Sequence, residues 1–190
     1  MSRANTNGST ITDLVGVYPF RKLDGGNPPV FSFPELGAET FLAGEMVCLS
    51  GSAANAVGLT KPPTDASGFG IVGFAADNAS GVASSFKGVY IASPETIFVG
   101  NVGHGSTSAS AQTAALDLGQ RYGLTSLSGR TYVDKAKTTA STTMVRVLGL
   151  HEQDSHPCFY GRVYFQVLMP SCQLQNGWNT NCSSNSALLL

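Results

Sequence analysis

Residues 159–168 read as a strand with two unlike faces, and this pattern does most to limit the fold. Phe159, Val163, Phe165 and Val167 fall on one side, with Gly161 between them, and Tyr160, Arg162, Tyr164 and Gln166 fall on the other. Successive side chains of a strand point to opposite faces, so a period of two buries one set and leaves the other outside. Two tyrosines, an arginine and a glutamine make an amphipathic outer face of the kind that neighbouring subunits cover.

The rest of the chain repeats the theme in shorter pieces. Residues 45–50, 87–92, 96–102, 130–134 and 143–150 are short runs rich in β-formers, bounded by Gly, Ser, Pro or Asp. Lys61-Pro62-Pro63-Thr64-Asp65 and Asp77-Asn78-Ala79-Ser80-Gly81 carry turn chemistry. One short helix is expected over residues 109–122, opened by the hydroxyls of Ser106, Thr107 and Ser108 and closed by Gly123. Residues 1–40 read as an extended arm, broken by Gly25-Gly26-Asn27-Pro28-Pro29 and Pro34. Phe20, Phe31, Phe33 and Phe41 would anchor this arm to a surface, its own or a neighbour's. Residues 170–190 form an Asn- and Ser-rich tail with Trp178 and a terminal Ala187-Leu188-Leu189-Leu190. The expected fold is mainly β: one β-barrel or β-sandwich domain over 41–169, with one short helix, the arm and the irregular tail.

A length of 190 residues suffices for one sizeable core. Charged residues are only 12% of the chain, against about a quarter in ordinary domains. Ser, Thr, Asn and Gly must therefore supply the polar surface, which suits a protein packed among neighbours better than one steering an ionic substrate. Net charge is −1, and the 11 Lys and Arg residues form no run, so the basic stripe that phosphate backbones require is missing. Apolar stretches are short and interrupted, which argues against a membrane span, and residues 1–13 lack the apolar core of a secretory signal. Cys48, Cys158, Cys172 and Cys182 include no C-x-x-C pair, so a zinc site is not expected. Cys48 reads as a small strand hydrophobe. Cys172 and Cys182 are candidates for a disulfide outside the cell, with reduced thiols the favoured state in a cytoplasmic assembly.

Three stretches invite a chemical reading. Gly68-Phe69-Gly70-Ile71-Val72-Gly73 spells G-x-G-x-x-G, but that fingerprint must follow a strand and open a helix. Here prolines precede it and a turn follows, so a glycine-rich strand is expected. His151-Glu152-Gln153-Asp154-Ser155-His156 concentrates ligand-type side chains, yet its histidines are five apart and Pro157 follows. A zincin pair needs a spacing of four on a helix, so a loop between strands is expected, with metal binding or histidine protonation as the lesser reading. Gly103-His104-Gly105-Ser106 lacks a recognisable base and orienting group for a serine nucleophile. Twelve acidic residues offer no carboxylate pair that spacing singles out. No enzyme activity, cofactor or metal is expected.

Several stretches, in order, resemble the head decoration (cement) proteins of tailed bacteriophages. They are Leu42-Ala43-Gly44-Glu45-Met46-Val47, Gly73-Phe74-Ala75-Ala76-Asp77, Ile97-Phe98-Val99-Gly100-Asn101, the segment 117–124, Gly129-Arg130-Thr131-Tyr132-Val133-Asp134 and Val145-Arg146-Val147-Leu148-Gly149-Leu150. The resemblance covers residues 40–168 and implies a β-barrel or β-sandwich protein added to the outside of an expanded capsid. It further implies assembly in the host cytoplasm, the major capsid protein as partner, self-association as a homotrimer or dimer, and no catalytic residues. Nucleic acid and membrane are not expected partners. From the residues themselves, Phe20, Phe31, Phe33, Phe41, Tyr160, Arg162 and Tyr164 are the candidate capsid or subunit contacts. The alternative is a host-surface or carbohydrate-binding module, or a hydrolase on a β-scaffold, centred on the 151–156 loop and Trp178.

Overall fold

The computed structural model describes residues 15–50, 57–62, 70–105, 110–127, 129–154 and 156–174. These residues form a mainly β structure of two sheets. Its centre is β7 (Thr96–Gly103), buried along its whole length. On one side β7 pairs antiparallel with β11 (Arg162–Val167), followed by β10 (Val145–Leu150), β8 (Arg121–Leu127) and β9 (Arg130–Asp134). Strand β9 then pairs parallel with the far end of β7 through Val102↔Val133 and Gly103↔Asp134, closing a five-stranded barrel. Closure removes the open edges that would otherwise template aggregation. Inside it, Phe98, Val102, Leu124, Val133, Val145, Val147, Val163, Phe165 and Val167 pack into one core.

The second sheet orders its strands β2 (Val30–Pro34), β6 (Phe86–Ile91), β5 (Gly73–Ala75), β3 (Met46–Ser50) and β4 (Gly58–Thr60). Its two ends meet at a bridge between Glu35 and Leu59. Along β3, β5 and the last residues of β6 both faces are covered, and the alternation shows how. Met46, Phe74 and Tyr90 join the barrel core, while their neighbours Val47, Ala75, Val89 and Ile91 line a second core with Phe41, Leu49 and Leu59. The sheet is therefore a wall shared by two cores, which is why these strands are continuously apolar. Gly73 is obligatory in it, because a Cβ there would overlap the carbonyl oxygen of Tyr90 on the paired strand.

From residue 15 onward the extended arm lies on the chain's own sheets; residues 1–14 lie outside the described residues. Its residues 18–22 form β1 (Tyr18–Lys22), paired with β7, and its residues 30–34 form β2, paired with β6. The described start of the tail is tied down as well: Gln173 donates to the Leu49 carbonyl and accepts from the Leu49 N–H, at 2.7 and 2.8 Å.

The expected helix over 109–122 is replaced by a three-residue 3-10 turn, Ala115–Asp117, and the strand β8. Asp117 is the reason. Its buried carboxylate accepts from the Ala114 N–H, from the Tyr122 hydroxyl and from Lys135, which holds the chain in a tight turn. Gly119, at φ +78, then reverses direction. Tyr122 and Leu124 alternate into the barrel while Leu116 stays 84% exposed, so barrel packing overrides the helical propensity of the alanines. Ser106 to Ala109 lie outside the described residues.

Cys172 is buried and outside any disulfide, so the Cys172–Cys182 pair that the sequence offered as the lesser candidate is not formed; Cys158 is buried too. Burial pushes the Cys172 thiol up to about 12. Cys48 is disulfide-bonded, where the sequence suggested a plain strand hydrophobe. Gly70 to Gly73 of the glycine-rich stretch run into β5, the strand reading; Gly68 and Phe69 lie outside the described residues.

Candidate interaction surface

Four strands, β1, β7, β11 and β10, lie side by side and form an outer wall of the barrel, exposed through β1, β11 and β10 with β7 buried between them. Two of them carry a β-bulge. In β1 the register jumps from Pro19↔Phe98 to Arg21↔Ile97, and in β10 from Val147↔Phe165 to Gly149↔Tyr164. The extra residues are Phe20 and Leu148. A bulged residue is freed from the ladder and re-aimed, and both side chains remain substantially exposed, at 46% and 40%.

Between them runs a groove of about 440 Å³ lined by Phe20, Arg21, Ile97, Leu148, Gly149, Glu152 and Tyr164. The Phe20 ring rests on Tyr164 with centroids 4.7 Å apart, and Tyr164 stacks in turn on His151 at 5.3 Å. The Arg21 guanidinium sits 5.2 Å above the Phe20 ring. The Tyr164 hydroxyl donates to Glu152 at 2.9 Å. Burial and that hydrogen bond raise the phenol to about 12, so it remains a neutral donor at any physiological pH. One step along the wall, Arg162 grips Asp154 through Nε and Nη2, the latter at 2.8 Å. Burial alone would raise the Asp154 carboxyl, but the Arg162 side-chain and backbone donors outweigh it and the net shift is downward. The site is an aromatic surface with a cation and an anion at its margins.

The sequence-derived candidates divide among three places. Phe20 and Tyr164 meet in this groove, and Arg162 stands beside it in its ion pair. Phe31 is 58% exposed on the edge strand β2, near Val30 at 51%. Phe33 is half-buried against the second core, and Phe41 is wholly inside it. Tyr160 is also internal: the strand pattern breaks before Arg162, Tyr160 takes φ +51, and its ring packs with Ala111 and Tyr132. Phe41 and Tyr160 thus serve this chain's own packing and present no contact surface. Leu148, Ile97 and Arg21 escaped the sequence reading. Their one signal is the run Val147-Leu148-Gly149, where alternation fails next to a glycine.

The 151–156 loop is committed internally. His151 is buried, Asp154 belongs to Arg162, and His156 bonds Thr113 Oγ1 at 2.7 Å and the His151 carbonyl at 3.0 Å. Among the described residues no group of three His, Cys, Asp or Glu side chains is placed to hold a metal ion. Gly105 donates to Asp134 at the end of β9, and Ser106 lies outside the described residues, as does Trp178. No protein-family model matches the chain, and neither a curated protein nor a solved structure does.

Proposed function

We propose that the chain is a structural virion protein that binds the outer surface of a phage head and stabilises the capsid by bridging major capsid protein subunits. The observation that carries this reading is the outer barrel wall, where two bulges hold Phe20 and Leu148 out of the core around an aromatic groove. A stable barrel gains nothing by exposing them; a surface that docks on a partner does. The edge strand adds Val30 and Phe31, and Phe86, opposite Pro34 at the other end of β2, is 67% exposed. Each such side chain, once covered, contributes about 1.5–3 kcal/mol. Repetition over many identical lattice positions makes a modest affinity per copy sufficient, particularly if copies touch one another as trimers or dimers. The protein acts by burial, with no reaction or cofactor assigned to it.

The double variant Phe20→Ser, Leu148→Ser tests the surface. Both residues lie outside the two cores, so its melting temperature should stay near that of the wild type while its pelleting with expanded capsids falls at least about tenfold. Unchanged pelleting would remove this wall from the interface. Loss of binding to a soluble glycan, in place of capsids, would shift support to the carbohydrate-binding alternative.

A further inference from the structure

A row of register partners crosses the same outer wall. Arg121 of β8 stands opposite Arg146 of β10, Arg146 opposite Gln166 of β11, Gln166 opposite Ile97 of β7, and Ile97 opposite Arg21 of β1. Directly opposed side chains start about 4.5–5.5 Å apart at Cβ, and like charges so placed are destabilising. Arg121 and Arg146 are such a pair. The ion pairs among the described residues use Lys22, Lys61, Lys87, Lys135 and Arg162 as their cations, never these two. The nearby buried carboxylate, Asp117, is already held by Ala114, Tyr122 and Lys135. A second observation concerns Arg146 alone: its Nε is buried and has no hydrogen-bond partner. Buried polar groups without a partner are uncommon and costly. Two arginines thus stand opposite one another in the ladder, one of them incompletely bonded, and among the described residues no carboxylate pairs with either.

We infer that Arg121 and Arg146 are the receiving half of an intermolecular salt link, a docking point for an acidic side chain of the protein partner. A guanidinium offers a planar fork that matches a carboxylate with two hydrogen bonds, and two forks in register clasp one carboxylate from both sides. The apolar groove lies on the same wall, beyond Gln166. The fitting ligand is therefore a segment with a carboxylate for the arginines and an apolar side chain for the Phe20–Leu148 groove. The inference rests on the proposed docking role of this wall and names the chemistry of what docks there.

The test uses the full chain and fluorescein-labelled hexaglutamate, followed by fluorescence anisotropy at low and near-physiological salt. The wild type should bind the peptide, more weakly as salt rises. Arg121→Glu with Arg146→Glu should lose at least about tenfold in affinity. Arg130→Gln, on β9 away from this wall, should change nothing. The neutral variant Arg121→Gln, Arg146→Gln should lose binding yet melt no lower than the wild type, since it removes a repulsion; residues kept only for the fold would show the opposite. Equal peptide binding by the wild type and the glutamine variant overturns the inference, as does tighter binding of a duplex oligonucleotide than of hexaglutamate. With capsids, equal pelleting of wild type and Arg121→Glu, Arg146→Glu overturns the inference and leaves the decoration reading intact. A wild type that does not pellet overturns the decoration reading, and the peptide measurement then decides the inference by itself.

Discussion

Phe74→Ala is expected to lower the free energy of unfolding by about 3–5 kcal/mol, the range for truncating a buried aromatic ring. For a chain of this size that is a fall of about 6–20 °C in the melting temperature. Phe74 is fully buried on β5, a strand of the second sheet, but its ring belongs to the barrel core. It lies 4.8 Å from Phe98 and 6.2 Å from Phe165, which are themselves 6.0 Å apart. These three rings are where the two sheets meet. Alanine would leave a void between elements that neither sheet alone can fill, since Phe98 and Phe165 are fixed on paired strands of the barrel. Phe86→Ala supplies the control: its side chain is 67% exposed, so its loss should move stability by no more than about 0.5 kcal/mol. Denaturant unfolding of both variants decides it; a Phe74→Ala midpoint within error of the wild type would mean the sheets are not joined through these rings.

Glu35→Ala is expected to cost about 3 kcal/mol, through a polar mechanism. The Glu35 carboxylate is buried and accepts from the Ser80 N–H and hydroxyl, both at 2.7 Å, and from the Gly81 N–H at 3.0 Å, with Lys87 at 3.7 Å. It pins the loop between β5 and β6 at the point where the second sheet closes on Leu59. Burial alone would raise its pKa, but the Ser80 and Gly81 donors and Lys87 outweigh it, so the carboxyl lies below the ordinary 4.5. The sign follows. A depressed folded pKa stabilises the protein at pH values above the unfolded pKa, and that contribution fades as pH falls through the folded one. Wild-type stability should therefore drop on acidification below about pH 4.5. Glu35→Gln should be destabilised at neutral pH, with a shallower decline in acid. Parallel acid profiles for the two proteins would contradict this role for Glu35.

Strand positions were legible wherever one face met a core and the next residue met something else. The runs expected over 130–134 and 96–102 correspond closely to β9 and β7. Strands β1 and β2 were hidden, because their residues are half-exposed and prolines interrupt them, so neither an alternation nor a continuous apolar run announces them. The expected helix failed for a physical reason: alanine-rich composition is a weak preference, and a buried Asp117 with three donors outweighs it. Part of the candidate surface could be read from residues 162–166, whose outward period of two holds as far as Arg162. What could not be read is the meeting of Phe20 with Tyr164. It depends on β1 folding back beside β7 and on two bulges, features of pairing that single-strand periodicity does not encode.

The proposed function is tested most directly by mixing the purified chain with expanded phage capsids that lack a decoration protein, pelleting them, and quantifying the bound fraction over a range of concentrations. Capsid decoration predicts saturation at a fixed number of copies per capsid, together with greater resistance of the loaded capsids to heat. Protein that remains in the supernatant at every concentration, with capsid stability unchanged, would contradict it.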